Sequence, residues 1–224
     1  MLITPPSIPD IDLPERIRRD VVAGVFPFGT RLRIHELAAR YGVSPMPVRE
    51  ALRELRGSGL VVMERHHGAR VRAVDSAYVE NVFDVRSAIE TMLARRAAER
   101  RTPAQLAQLQ AIEARLEAHV AAGDAPAVLV ANREFHDVVN AAADNPEAVH
   151  VAGEHWSILA ALWGRFGYRE ARFAGVISDH RHLIAALTAR DPDVAGAIMG
   201  AHVAKARQEL LQQMREAASR ERAA

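Results

Sequence analysis

The sequence predicts a mainly α protein in two parts: an N-terminal unit of three short helices and a small β-hairpin, residues 1–74, then a C-terminal all-α helical bundle, residues 75–224. Three observations predict it. Apolar residues recur at three- and four-residue spacing along most of the chain, which is the helical period. Only the stretch from Leu60 to Val74 departs from that spacing, with β-type runs on either side of Gly68. The charge also changes sign near residue 74, from twelve Arg against eight acidic residues, net +4, to 17 basic against 20 acidic, net −3.

In the basic unit, Pro14 to Gly24 reads as a first helix with Ile17, Val21 and Val22 on its apolar face and Gly24 as its terminator. Phe26-Pro27-Phe28-Gly29 then makes a turn. A second helix, Ile34 to Tyr41, buries Ile34, Leu37, Ala38 and Tyr41 and stops at Gly42, the residue type that best tolerates a left-handed cap. Ser44 is suited to N-cap a third helix running to Gly57, and Pro45 and Pro47 fall in its first turn, where a missing N–H removes no helical bond. Val48, Ala51, Leu52 and Leu55 form its inward stripe, whereas Arg49, Arg53 and Arg56 recur on another face. Two short helices joined by a tight Gly turn, the second with exposed Arg near its start, describe a helix-turn-helix whose second helix could enter a major groove. The alternative for that helix alone is a solvated face in which Glu50 and Glu54 pair with the arginines.

Leu60 to Met63 and Ala69 to Val74 flank Glu64-Arg65-His66-His67-Gly68, a hairpin with a basic tip. Val71 alternates with Arg70 and Arg72, as in a two-stranded wing with one buried and one wet face. Arg65, His66 and His67 can reach phosphates or an adjacent groove, and Gly68 permits close backbone approach. The unit reads as a winged helix-turn-helix. Of the 29 basic residues only Lys205 is a lysine. The planar fork of Arg suits phosphates and guanine edges, although a nucleotide-composition bias would raise Arg equally.

At these residues the chain resembles the FadR-like branch of the GntR bacterial transcription regulators. Val43-Ser44-Pro45-Met46-Pro47-Val48-Arg49-Glu50-Ala51-Leu52 is similar to the family's V-S-R-T-P-V-R-E-A-L, and Gly59-Leu60-Val61 with Gly68-Ala69-Arg70-Val71 resembles its G-L-V and G-A-x-V wing. The resemblance implies operator contacts from Ser44, Arg49, His67 and Gly68. Pro45 and Met46 stand where the family has Arg-Thr, so one family contact is lost and the operator need not match the usual one. With the Arg row and the wing tip, the candidate DNA contacts are Ser44, Pro45, Met46, Arg49, Arg53, Arg65, His67 and Gly68.

From Asp75 onward no strand signal survives. Six helical stretches are expected, Ser76 to Arg101, Pro103 to Ala122, Pro126 to Ala143, Pro146 to Trp163, Val176 to Arg190 and Pro192 to Arg220, with a loop over Gly164 to Gly175. Such a bundle can hold a core and an internal pocket. With no cysteine, disulfides, thiolate metal sites and Cys nucleophiles are excluded, and any metal must use His, Asn, Asp or Glu. The N-terminal MLITPPSIPDIDLPER lacks a basic stretch followed by an apolar one, and no segment approaches the ~18 apolar residues of a membrane span. A cytoplasmic protein without membrane contact is the expectation.

Seven of the ten histidines lie in the second part. Asn132 and His136 share a stripe with Val128, Phe135 and Val139; His180 sits between Ile177 and Ile184, with His182 turned outward; His202 continues the face of Ile198, Met199 and Ala206. Three inward imidazoles and an inward amide from three helices can make a divalent-metal site without thiolate, for zinc or nickel. Taken singly, each reads more simply as a buried neutral His bonded to a neighbour. The resemblance extends here to the family's FCD effector domain, with its Asp-x-x-x-His and two later His on separate helices. It implies His136, His180 and His202 as ligands, with Asn132 where the family commonly has Asp. A neutral amide donor leaves the metal more net positive charge, which a carboxylate effector would balance. Arg86, resembling a recurrent first-helix arginine, and Arg165 are the candidate effector contacts, and an intrahelical pair with Glu90 is the other reading of Arg86.

The expected function is therefore a homodimeric transcription regulator. Its winged unit binds a double-stranded, pseudo-palindromic operator, and its bundle dimerises and senses a small organic acid, through a metal. A metal-free regulator sensing an acyl-thioester or another ligand is the runner-up. A His-metal enzyme with an attached DNA-binding unit is the distant third, because Glu134 and Asp179, the carboxylates beside the ligands, are offset away from the pocket and no nucleophile motif occurs.

Overall fold

The computed structural model describes residues 12–64 and 68–223. The chain forms two compact units, one of the described residues up to Val74 together with Glu154–Arg165, the other of Asp75–Gly153 and the residues from Phe166 on.

In the first unit α1 (Leu13–Val22) has Pro14 in its first turn, where a missing N–H costs no helical bond, and buries Ile17 and Val21. A two-residue strand, β1 (Arg31–Leu32), precedes α2 (Ile34–Tyr41), which ends on Gly42 at φ 68°. That left-handed cap turns the chain tightly into α3 (Pro45–Gly57), whose Val48, Ala51, Leu52 and Leu55 are buried as the stripe predicts. Asp20 of α1 accepts from both residues at the end of α2, Tyr41 Oη at 2.8 Å and Arg40 Nε at 3.0 Å, and so fixes the helix-turn-helix on its supporting helix.

The wing is β2 (Val61–Glu64) against β3 (Gly68–Val71), antiparallel, with Val61 opposite Val71 and Met63 opposite Ala69. The sheet has a third strand, since β1 pairs with β3 in the order β1-β3-β2. The wing is therefore anchored on both edges of β3, where the sequence predicted a two-stranded hairpin. Ala69 and Val71 are buried and Arg70 and Arg72 half-buried, the predicted alternation. Arg70 and Arg72 donate to the carbonyls of Gly29 and Gly59. The same unit holds α8 (Trp156–Phe166), in which Gly164 faces the Val22 carbonyl; a Cβ there would lie 3.1 Å from that oxygen.

The second unit is all-helical: α4 (Ser76–Arg100), α5 (Pro103–Ala121), α6 (Ala125–Ala142), α7 (Pro146–Glu154), α9 (Glu170–Ala189) and α10 (Pro192–Ala223). Polar caps set several starts. Asp75 accepts from Tyr78 N, Thr102 and Gln105 form a capping box, and Asp124 accepts from Ala127 N. Arg101, buried, donates to the carbonyls of Leu187 and Thr188 and so caps the C-terminal end of α9. Gly196 and Gly200 bring α10 close to α4, for a Cβ on Gly196 would meet Arg95 Cγ at 2.7 Å and one on Gly200 would meet Thr91 Oγ1 at 3.1 Å.

Two expectations are corrected. The single helix from Pro146 to Trp163 is two, α7 and α8, separated at His155. The loop read over Gly164 to Gly175 is mostly helix, because α9 begins at Glu170 and carries Gly175 in its interior.

Candidate functional site

Asn132 and His136 on α6, His180 on α9 and His202 on α10 are all buried, at 8%, 2%, 1% and 5% exposure. One nitrogen from each of the three histidines lies within 4.8 Å of the others. His182, expected to face outward, is exposed.

A carboxylate from another helix holds each ring. His136 Nδ1 is 2.8 Å from Glu90 Oε2 of α4, His180 Nδ1 is 2.7 Å from Glu113 Oε2 of α5, and His202 Nδ1 is 3.2 Å from Asp179 Oδ2 of α9. Glu90 and Asp179 are ionised and only accept, so Nδ1 of His136 and of His202 carries the proton, and Nε2 of neutral His202 presents a lone pair; His180 Nδ1 and Glu113 share a proton between them. The Nε2 atoms of His136 and His202 meet at 3.2 Å. His180 Nε2 is buried with no hydrogen-bond partner, as is Asn132 Oδ1. Phe135 stacks on the His180 ring, centroids 3.8 Å apart and planes within 4°, and fixes its orientation.

Burial keeps the His180 and His202 rings neutral. Burial, then the neighbouring His202, His136 and Arg172, hold His180 well below the usual imidazole range. Burial lowers His202 to about 4 against the opposing pull of Asp179. Among the carboxylates, burial would raise Glu90, but Arg86 and His136 hold it well below its ordinary value. Burial raises Asp179 less than the bonds from His202 and Lys205 lower it. Glu113 is pushed up to about 7 by burial and by Glu117. Neutral imidazoles with proton-bearing Nδ1 atoms on carboxylates are the arrangement by which proteins present histidine to a metal ion. The two orphaned atoms, His180 Nε2 and Asn132 Oδ1, fit such an ion as further donors.

Arg86 is buried, and its Nε donates to Glu90 Oε1 at 2.6 Å, so the same carboxylate serves Arg86 and His136. Arg165 is exposed and lines a cavity of about 110 Å³ with Val22, Pro27 and Phe28 in the first unit. Asp179, expected to turn away from the histidines, is buried and holds His202, because α9 presents adjacent residues to different neighbours. Glu134 is bound to Arg115 at the surface. Sequence reasoning missed Glu113 and the buried Arg172. Glu113 carried a signal, being a charged residue on the apolar stripe of Leu109, Ile112 and Leu116.

On α3, Ser44, Pro45, Met46, Arg49 and Arg53 are all exposed, Met46 at 57%. Ser44 occupies the N-cap position, yet its side chain makes no capping bond. Among the described residues Arg49, Arg53 and Arg56 form no ion pair with Glu50 or Glu54, which disfavours a self-paired face. Gly68 opens β3 at φ 83°. Arg65 and His67 lie outside the described residues.

Comparison with known proteins agrees with this architecture. Residues 12–71 match the gntR family of bacterial regulatory proteins, and residues 81–205 match the FCD domain. A probable D-xylose utilization operon transcriptional repressor of Paenarthrobacter nicotinovorans is 31% identical over 83% of this chain and 81% of its own. The gluconate operon transcriptional repressor of Bacillus licheniformis is 23% identical over 80% and 75%. Escherichia coli McbR/YncC shares the fold at a TM-score of 0.77 and 23% identity, over 90% of this chain and 96% of that one. The chain belongs to the GntR family of bacterial regulatory proteins, with an FCD effector domain, and is a DNA-binding transcription regulator rather than an enzyme. Such regulators bind operator DNA and small-molecule effectors. Among the described residues no helix is long and apolar enough to cross a membrane.

Proposed function

We propose that this regulator works as a homodimer whose operator affinity is set by a small carboxylate bound at the imidazole cluster together with a divalent transition metal such as zinc or nickel. The observation that carries the reading is the convergence, within 4.8 Å, of one ring nitrogen from each of three buried histidines, each ring held by a carboxylate from another helix. His136, His180, His202 and Asn132 would hold the ion. When bound, it supplies a Lewis-acid centre for a carboxylate oxygen. Glu90, Glu113 and Asp179 fix the tautomers, and Phe135 fixes the plane of His180.

Operator recognition is assigned to Arg49 and Arg53, with Ser44, Pro45 and Met46 at the start of α3 and Arg65, His67 and Gly68 on the wing. Two winged units in a dimer must match the spacing of two half-sites, so an effector that favours one bundle arrangement shifts operator affinity by population. The relatives' description as repressors supports effector-driven release. The test is elemental analysis of protein purified without added metal or chelator, for wild type and His180→Ala. One ion per chain, lost in the variant, is expected. No ion in either would make the cluster a metal-free ligand site.

A further inference from the structure

We propose that Arg172 is the residue that recognises the effector's acidic group, and that the effector is a small dicarboxylate; the inference rests on the imidazole cluster being the effector centre. Arg172, near the start of α9 and 8% exposed, lies beside the cluster. Its Nη2 donates to the His202 carbonyl at 3.2 Å, and its Nε is buried with no hydrogen-bond partner. Its nearest ion-pair contact is Asp179 Oδ2 at 4.0 Å. That carboxylate is already committed to Lys205 Nζ at 2.6 Å and to His202 Nδ1.

The other buried guanidinium of the site, Arg86, is matched by Glu90. Pairing Arg86 with Glu90 and Lys205 with Asp179 leaves Arg172 as the cation without a close carboxylate. A buried guanidinium with an unmade N–H bond is costly, and a carboxylate oxygen is the acceptor that best removes that cost. The second charge follows from the donor set. The three imidazoles and the Asn132 amide bring no charge of their own, and Glu90 and Asp179 are matched by Arg86 and Lys205, so a divalent ion and Arg172 together face only the Glu113 carboxyl and a monoanion leaves the site with excess positive charge. A ligand with two acidic groups satisfies both.

The experiment titrates full-length, zinc-loaded protein with malonate, succinate and acetate by calorimetry, in wild type, Arg172→Gln and Arg172→Lys. Zinc content after each titration separates binding from stripping of the ion. At least one dicarboxylate should bind wild type tenfold or more tighter than acetate. Arg172→Gln should lose at least tenfold of that affinity while keeping its zinc, and Arg172→Lys, which keeps the charge but lacks the planar fork, should recover only part. Wild-type affinity in Arg172→Gln, acetate binding as tightly as either diacid, or no binding of any of the three overturns the proposal. If Arg172→Gln does not fold, Arg172→Lys decides, and undiminished affinity overturns it. If wild type takes up no zinc, the metal reading has failed on its own. The same titration of metal-free protein then tests Arg172, with dependence on it supporting the assignment and independence overturning it.

Discussion

Nε2 of His136 lies 3.2 Å from Nε2 of His202, with the opposite nitrogen of each ring committed to a carboxylate. A proton joins the two nitrogens in a hydrogen bond, and a metal ion bound by both would take its place. Metal should therefore stabilise the bundle, by about 2.7 kcal/mol at a free concentration a hundred times Kd. Thermal melting with and without a chelator checks this. A rise of several degrees on metal addition is expected in wild type and none in His180→Ala, whereas an unchanged wild-type transition contradicts the site.

Glu113 would act on a bound ion only through His180. Replacing it with Gln removes the acceptor that fixes the ring's tautomer, and losses of this kind cost about 10- to 100-fold in metal affinity. Competition against a chromophoric chelator measures the change. Retained affinity in Glu113→Gln would show that the pair serves packing alone.

Arg49 projects from an exposed turn of α3 without an acidic partner on its own helix. If it grips a guanine edge, Arg49→Ala weakens specific operator binding by ~1–3 kcal/mol; if it touches only phosphate, the loss is uniform across sequences and the salt slope falls by about 1. Operator titrations at several salt concentrations distinguish the two, and an unchanged curve removes Arg49 from the interface.

The Tyr41 phenol, raised by burial and then by its bond to Asp20, titrates at about 12 rather than at a free phenol's 10. Its folded value lies above its unfolded one, so its stabilisation is complete below pH 10 and disappears as pH rises through 12. Tyr41→Phe should cost about 0.5–1.5 kcal/mol at neutral pH, the net worth of one hydrogen bond. Denaturant melts at pH 7 and above pH 10 should show the gap between wild type and variant closing. A constant gap would detach the stabilisation from the phenol's proton.

The winged unit was legible because Pro14, Gly42, Ser44 and Pro45 punctuate it where helices start and stop. β1 escaped notice because two residues, Arg31 and Leu32, have no periodicity to detect. The break at His155 carries no proline, and Gly175 suggested a loop where α9 runs through. At the site, the stripe positions of Asn132, His136, His180 and His202 gave the burial that the structure shows. Their carboxylate partners were not readable, since each comes from a different helix. Glu90 was seen only as a partner of Arg86, and Asp179, one residue from His180, was expected to point elsewhere. Adjacent residues on a helix buried on two sides can both face the interior, and a single sequence does not reveal which helices have two neighbours.

The three bonds between Nδ1 and carboxylate run from α4 to α6, from α5 to α9 and from α9 to α10. Five helices are thereby joined at one cluster. Emptying or filling it should be felt as a change in hydrogen-exchange protection spread across all five, and the pattern of that spread would trace how far a small molecule's arrival travels through the bundle.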